Sequence, residues 1–272
     1  MINPKTNSEQ LLFTTVRLET DKWSWTWFFF HLKIDNKIYP IIITNKHVVN
    51  YKTNEKVKFH LHEKITNKPE WNIEIEYTAD WLFHPEDSVD LCCCLVQTLF
   101  HDIKTSLGKD VFYRNIDESF IENNQRLEEL NAIEDIVMVW YPNGLWDQKY
   151  NLPLFRKGIT SSHPWIDFNG KSEWVVDMAC FPGSSWSPIF ISNEGTSYMD
   201  KSGTINFDNR IMFLGILFAW PVMNSKWELI VENIPTSQTV ISQTPIMINL
   251  GYYIKAVKIL DLGIVIKKYY SL

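Results

Sequence analysis

Short stretches in which apolar and polar residues alternate recur along this chain, and a period of two suits strands, whose side chains point to opposite faces in turn. Val57, Phe59 and Leu61 alternate with Lys58, His60 and His62, and Ile73 and Ile75 alternate with Glu74 and Glu76. Both stretches predict strands with one buried and one wet face. Residues 39–43, 91–96, 136–140 and 211–220 are apolar without alternation, which predicts strands buried on both faces. The pattern as a whole predicts an all-β barrel or sandwich. Two helices are expected to interrupt it. A polar one over 118–129 would connect two halves, with a boundary near Asn131, and another over 250–260 would present Ile254, Val257 and Leu260 on one face.

The 272 residues are 45% apolar and 14% aromatic, enough to bury a large core in one domain or two. Acidic and basic residues are interspersed around a net charge of −6, so neither a nucleic acid nor an anionic membrane surface is an expected partner. The first ten residues are polar and the first apolar run is short and interrupted, unlike a secretory h-region. No stretch approaches the roughly 20 apolar residues of a membrane span. Cys92, Cys93 and Cys94 are consecutive and only Cys180 stands apart, a distribution unlike a disulfide framework. Free thiols and a cytoplasmic setting are expected. The triple cysteine does not suit a metal, because neighbours on a strand face opposite ways, and it reads as small apolar core residues.

Chemistry is suggested by three segments taken together. Gly183-Ser184-Ser185-Trp186-Ser187-Pro188 holds a serine among small residues, and upstream lie Thr44-Asn45-Lys46-His47-Val48-Val49 and Asp90-Leu91-Cys92. A nucleophilic serine needs a base within hydrogen-bond reach and an acid to orient that base, and a rigid scaffold can bring all three together. In this order the chain resembles the trypsin-like serine peptidases, particularly their bacterial, HtrA-like branch. The histidine segment resembles T-N-x-H-V, the aspartate segment D-L-A, and the serine segment G-N-S-G-S-P. The run 136–144 resembles a strand ending in a G-Y-P-type turn, Lys157-Gly158-Ile159-Thr160-Ser161 resembles the G-x-V-S strand after it, and Phe213-Leu214-Gly215-Ile216 resembles the V-x-G-I strand.

The resemblance implies two antiparallel six-stranded β-barrels of chymotrypsin type with a C-terminal helix. Residues 1–130 would form the barrel carrying His47 and Asp90, and 131–272 the barrel carrying Ser185 plus the helix, with no segment left for a PDZ domain. His47 would be the general base, Asp90 its orienting acid and Ser185 the nucleophile, with the N–H groups of Gly183 and Ser185 as the oxyanion hole. Ala179, Trp186, Leu214, Gly215 and Ile216 would border the substrate cleft. The substrate would be a protein or peptide, members of the branch act beside a regulatory protein partner, and no metal or cofactor is implied.

Two positions depart from the family pattern. Trp186 follows the serine where glycine is usual, and Ser24-Trp25-Thr26-Trp27-Phe28-Phe29 lacks the glycines of the early hairpin. Glycine serves where φ is positive or backbone approaches a ligand, so Trp186 either demands another conformation or fills substrate space and gates access. Asp87 is an alternative triad acid. His60 and His62 share a strand face, which suits either a metal or a solvated surface, the latter preferred because no third ligand is near. Trp23, Trp25 and Trp27 recur at period two and cover one strand face rather than stack on a ligand. An active peptidase and a catalytically degenerate binding or regulatory module remain as the two functional readings. Thiol titration of the unfolded, unreduced protein is expected to find all four cysteines free; two or fewer would contradict the reading.

Overall fold

The computed structural model describes residues 1–19, 24–66, 68–142, 145–180, 186–219, 221–229, 240–247 and 249–271. The chain is mostly β, as its alternation predicts. In the first half run β1 (Thr15–Glu19), β2 (Ser24–Ile34), β3 (Lys37–Thr44), β4 (Asn54–Ile65), β5 (Lys68–Asp80), β6 (Leu82–Phe83) and β7 (Cys92–Leu95), then β8 (Val111–Phe112) and β9 (Ile116–Asp117). They form one nine-stranded sheet in the order β5-β4-β1-β2-β3-β7-β6, with β8 on β4 and β9 on β2. The ends of this path, β5 and β6, are joined through Trp81 alone, so the sheet has to roll on itself. It is therefore a rolled nine-stranded sheet in place of the expected six-stranded closed barrel. The far end of the long β4 also pairs with the short β8, and β9 runs parallel to β2.

The second half contains β10 (Asp135–Trp140), β11 (Leu154–Thr160), β12 (Glu173–Asp177), β13 (Pro188–Asn193), the short β14 (Tyr198–Met199) and β15 (Ile205–Asn206), β16 (Arg210–Ala219), the hairpin β17 (Val222–Leu229) and β18 (Val240–Met247), and β19 (Leu250–Lys255). Six of them close a barrel in the order β10-β11-β12-β19-β16-β13. Closure leaves no unpaired edge, and it determines the fate of the segment expected as a helix over 250–260. Leu250–Lys255 is a strand because both β12 and β16 need a partner there; Val176 pairs with Gly251 and Ile216 with Ile254. The C-terminal helix instead runs over Leu262–Tyr270 and packs back on β2 and β6. The polar helix expected over 118–129 is two short pieces, a 3-10 turn at Glu118–Phe120 and an α-helix at Asn124–Glu128. An unexpected helix, Gln97–Leu107, buries Leu99 and Ile103 and stops at Gly108, whose φ of 70° suits a residue without a Cβ.

One apolar core runs through both halves. Phe28, Phe30, Ile41, Ile43 and Phe59 of the rolled sheet pack in the same cluster as Trp186, Phe190, Phe213 and Ile216. Trp27 meets Trp81 edge-on at 4.6 Å and Phe28 meets Phe213 at 5.5 Å. The apolar runs at 39–43, 136–140 and 211–219 become β3, β10 and β16, and Cys92, Cys93 and Cys94 are all buried in β7. No disulfide joins the cysteines. Burial pushes the Cys94 thiol up to about 12 and that of Cys180 to about 11, so both stay protonated.

The histidines of β4 depart from expectation. Val57, Phe59 and Leu61 are buried as predicted, but His60 and His62 are buried as well, not solvated. The reason is tertiary: residues 146–151 of the second half lie over those two histidines. His62 Nε2–H donates to the Tyr150 carbonyl at 2.9 Å, Asn151 Nδ2–H donates to the His60 carbonyl at 3.1 Å, and Trp146 sits against the His60 ring. His60 Nε2 also faces Glu19 at 2.9 Å, while the Arg17 guanidinium stacks on Trp146. Burial lowers the His62 pKa from 6.5 to about 4. The unfolded chain binds a proton near pH 6.5 that the folded chain refuses until about pH 4. Stability contributed by neutral His62 is therefore complete above pH 6.5 and lost as pH falls. Unfolding free energy is expected to drop by about 3 kcal/mol across that window. In denaturant titrations His62→Gln, which retains an N–H for Tyr150, should remove that part of the pH dependence.

Candidate active site

His47 lies in a turn after β3, and Asp90 lies just before β7, the strand that pairs with β3. Strand pairing alone thus brings two residues 43 apart in sequence to one place. The His47 backbone N–H donates to Asp90 Oδ1 at 3.2 Å, and its Nδ1–H donates to Asp90 Oδ2. The carboxylate can only accept when ionised, which assigns the proton to Nδ1 and leaves Nε2 as an acceptor. The His47 side chain is 40% exposed and that of Asp90 20% exposed. Nε2 of such a histidine can take a proton from a donor on its open side. Asp87 is exposed and offers His47 no contact among the described residues; only its carbonyl is used, by Lys46.

Residues flanking His47 hold the aspartate loop in place. Asn45 Nδ2–H donates to the Asp90 carbonyl, and the buried Lys46 ammonium donates to the carbonyls of Glu86 at 3.0 Å and Asp87 at 3.5 Å. Such bonds are what make a buried ammonium tolerable. Buried His84 closes the other side. Its Nε2–H donates to the Lys258 carbonyl at 3.1 Å and its Nδ1 accepts the Glu86 N–H at 3.1 Å, while burial lowers its pKa. These three residues were not singled out from the sequence. The T-N-x-H resemblance includes Asn45, but nothing local shows that its partner lies 45 residues away.

Of the serine segment, only Trp186 and the residues after it, leading into β13, are described. Gly183 and Ser185 lie outside the described residues; Trp186, next in the chain, has its ring centroid 5.4 Å from that of His47 and 4.3 Å from that of Trp25. Its N–H donates to the Leu217 carbonyl at 2.7 Å, and the Leu217 N–H donates to the Ser187 carbonyl at 3.2 Å, which pins residues 186–187 to β16. Trp186 has φ 74°, so it keeps the conformation glycine favours. Its side chain is wholly buried, so the ring does not stand in an open cleft. Of the expected tryptophan face, Trp25 packs on Trp186 and Trp27 on Trp81, while Trp23 lies outside the described residues.

The other cleft positions are distributed unevenly. Ala179 is partly exposed and its carbonyl accepts from the Arg156 guanidinium. Leu214, Gly215 and Ile216 are buried in β16, which pairs with β13 on one side and β19 on the other, and of the three only Leu214 borders a described groove, one that lies away from His47 and Asp90. At Gly215, with φ 157°, a Cβ would lie 2.0 Å from the Ile254 carbonyl oxygen, which explains the glycine by close packing of β16 on β19. The open space next to Asp90 is a cleft of about 510 Å³ bordered by Ser88, Asp90, Lys171, Glu173, Phe218 and Ile254. A groove of about 440 Å³ between Ile121, Leu127, Trp174 and Val257 contains neither His47 nor Asp90. Among the described residues no group of three His, Cys, Asp or Glu side chains could hold a metal ion, and no helix is long and apolar enough to cross a membrane.

The sequence matches no protein-family model and no curated protein. Among solved structures it is similar to Rv3671c of Mycobacterium tuberculosis H37Rv, described as the inactive form of a serine-to-alanine mutant. That match has 14% identity and TM-score 0.43, covering 99% of this chain and 92% of the other. It is also similar to an inactivated protease paralogue of the scabies mite, S-I1, with 10% identity and TM-score 0.40, covering 98% and 97%. Similarity this low carries no function to the present chain.

Proposed function

We propose that this protein is a serine endopeptidase in which Ser185 is the nucleophile, His47 the general base and Asp90 the acid that orients it. The observation carrying this reading is the way Asp90 holds His47. One carboxylate accepts both the backbone N–H and the Nδ1–H of the same histidine, fixing the tautomer that leaves Nε2 basic, and does so beside the residue that follows Ser185.

The chemistry follows from these roles. As the Ser185 hydroxyl oxygen attacks the carbonyl carbon of a peptide, His47 Nε2 takes the hydroxyl proton, and the N–H groups of Gly183 and Ser185 would stabilise the oxyanion. The imidazolium, steadied by Asp90, then gives its proton to the departing amine. Water, deprotonated by His47 in turn, releases the acyl group from Ser185. The buried, unpaired cysteines support a reducing, cytoplasmic setting for this activity.

A fluorophosphonate probe is expected to label the purified protein covalently, and Ser185→Ala and His47→Ala should each abolish labelling without loss of fold. Equal labelling of wild type and Ser185→Ala would reject the triad. No labelling of folded wild type would favour a binding module on a peptidase scaffold.

Preference at the residue before the scissile bond can also be anticipated. The position six before Ser185 is Ala179, which supplies no anion, and the Arg156 guanidinium lies on its carbonyl. A peptide library should show small or apolar residues favoured over Lys and Arg, and a strong basic preference would contradict this assignment.

A further inference from the structure

Trp186 occupies a backbone conformation that bulky residues rarely enter, with φ 74°, and a glycine would hold it without strain. A tryptophan there has to be retained for its ring. That ring is fully buried between Trp25, which it meets edge-on at 82°, and the His47 imidazole, to which it is tilted by 50°. Its indole N–H finds no hydrogen-bond partner among the described residues, so packing rather than polar pairing sets the ring's position. Asp90 restrains the imidazole at one point, Nδ1, and a single hydrogen bond leaves the ring free to rock about that axis. The indole removes this freedom from the other side.

We propose that Trp186 is a positioning residue for His47, a buried aromatic wedge that holds the imidazole so that Nε2 stays directed at its proton donor. The proposal rests on the reading of His47 as general base. It also replaces gating as the role of Trp186, because a ring buried against Trp25 blocks no open cleft. The strained φ of Trp186 and the hydrogen bond from its N–H to the Leu217 carbonyl are parts of the same device: they bring the ring under His47 from the position next to the nucleophile.

The test compares Trp186→Gly and Trp186→Phe on a small ester substrate, following kcat and KM separately, and follows the deshielded Nδ1–H proton of His47 by NMR. Trp186→Gly is expected to lower kcat roughly 10- to 100-fold with little change in KM, the cost of a misplaced base. The Nδ1–H signal should broaden or vanish with it. Trp186→Phe, which keeps an aromatic wedge, should recover most of both. Trp27→Phe, at the other buried tryptophan pair of this core, should leave both unchanged and controls for lost packing. If Trp186→Gly does not fold, Trp186→Leu takes its place with the same expected losses. A kcat that is unchanged or raised, with the Nδ1–H signal retained, overturns the proposal. If wild type shows no turnover and no probe labelling, the peptidase reading fails by itself; loss of the signal in the Trp186 variants would still uphold the positioning of His47.

Discussion

Backbone hydrogen bonding around a closed circuit is the constraint on which the rest of this structure depends. In the second half, β12 and β16 would each be left with an open edge unless a strand lay between them, and Leu250–Lys255 fills that place. With the circuit closed, the chain beyond Lys255 turns through Ala256–Ile259 and lays Leu262–Tyr270 on the first sheet, burying Leu262 and Ile266 in the shared core. The Lys258 carbonyl is thereby placed to accept from His84, so closure of one sheet reaches the aspartate loop of the other.

Contacts between the halves do more than add buried area. The Tyr141 N–H donates to the Thr26 hydroxyl at 2.6 Å and the Tyr141 hydroxyl donates to the Asn151 carbonyl at 2.8 Å, which helps seat residues 146–151 over β1 and β4. That segment turns His60 and His62 into core residues. At the opposite end of the chain, the Glu194 carboxylate accepts the N–H groups of Asn7 and Ser8, tying the first helix, Asn7–Leu11, to the second half. Each link is cheap in isolation because a hydrogen bond exchanged against water nets only about 1 kcal/mol, but together they leave few ways to dock the halves.

The candidates His47, Asp90 and Ser185 were legible as short motifs because that signal is local; that His47 meets Asp90 is decided by β3 pairing with β7, which no single run of residues specifies. What was not legible is where both partners lie far apart in sequence. Lys46 looks like a surface charge until the carbonyls of Glu86 and Asp87 are brought to it. Leu214, Gly215 and Ile216 were placed beside substrate by resemblance; core packing buries them, and the half-buried Phe218 further along borders the cleft next to Asp90. The interval of three between Ile254, Val257 and Leu260 is also misleading, since the helical spacing arises across a strand and the turn after it.

By itself the sequence determined that this chain is built of strands, which of them are buried on both faces, and that its cysteines form no disulfide framework, because side-chain alternation and residue spacing act over a few residues at a time. Tertiary structure alone decided which strand closes the barrel, that His60 and His62 of β4 are covered, and that Trp186 lies beneath His47 with a positive φ. Those outcomes depend on which distant surfaces meet, and the energy of burying an imidazole or an indole exists only once the surface that covers it has arrived.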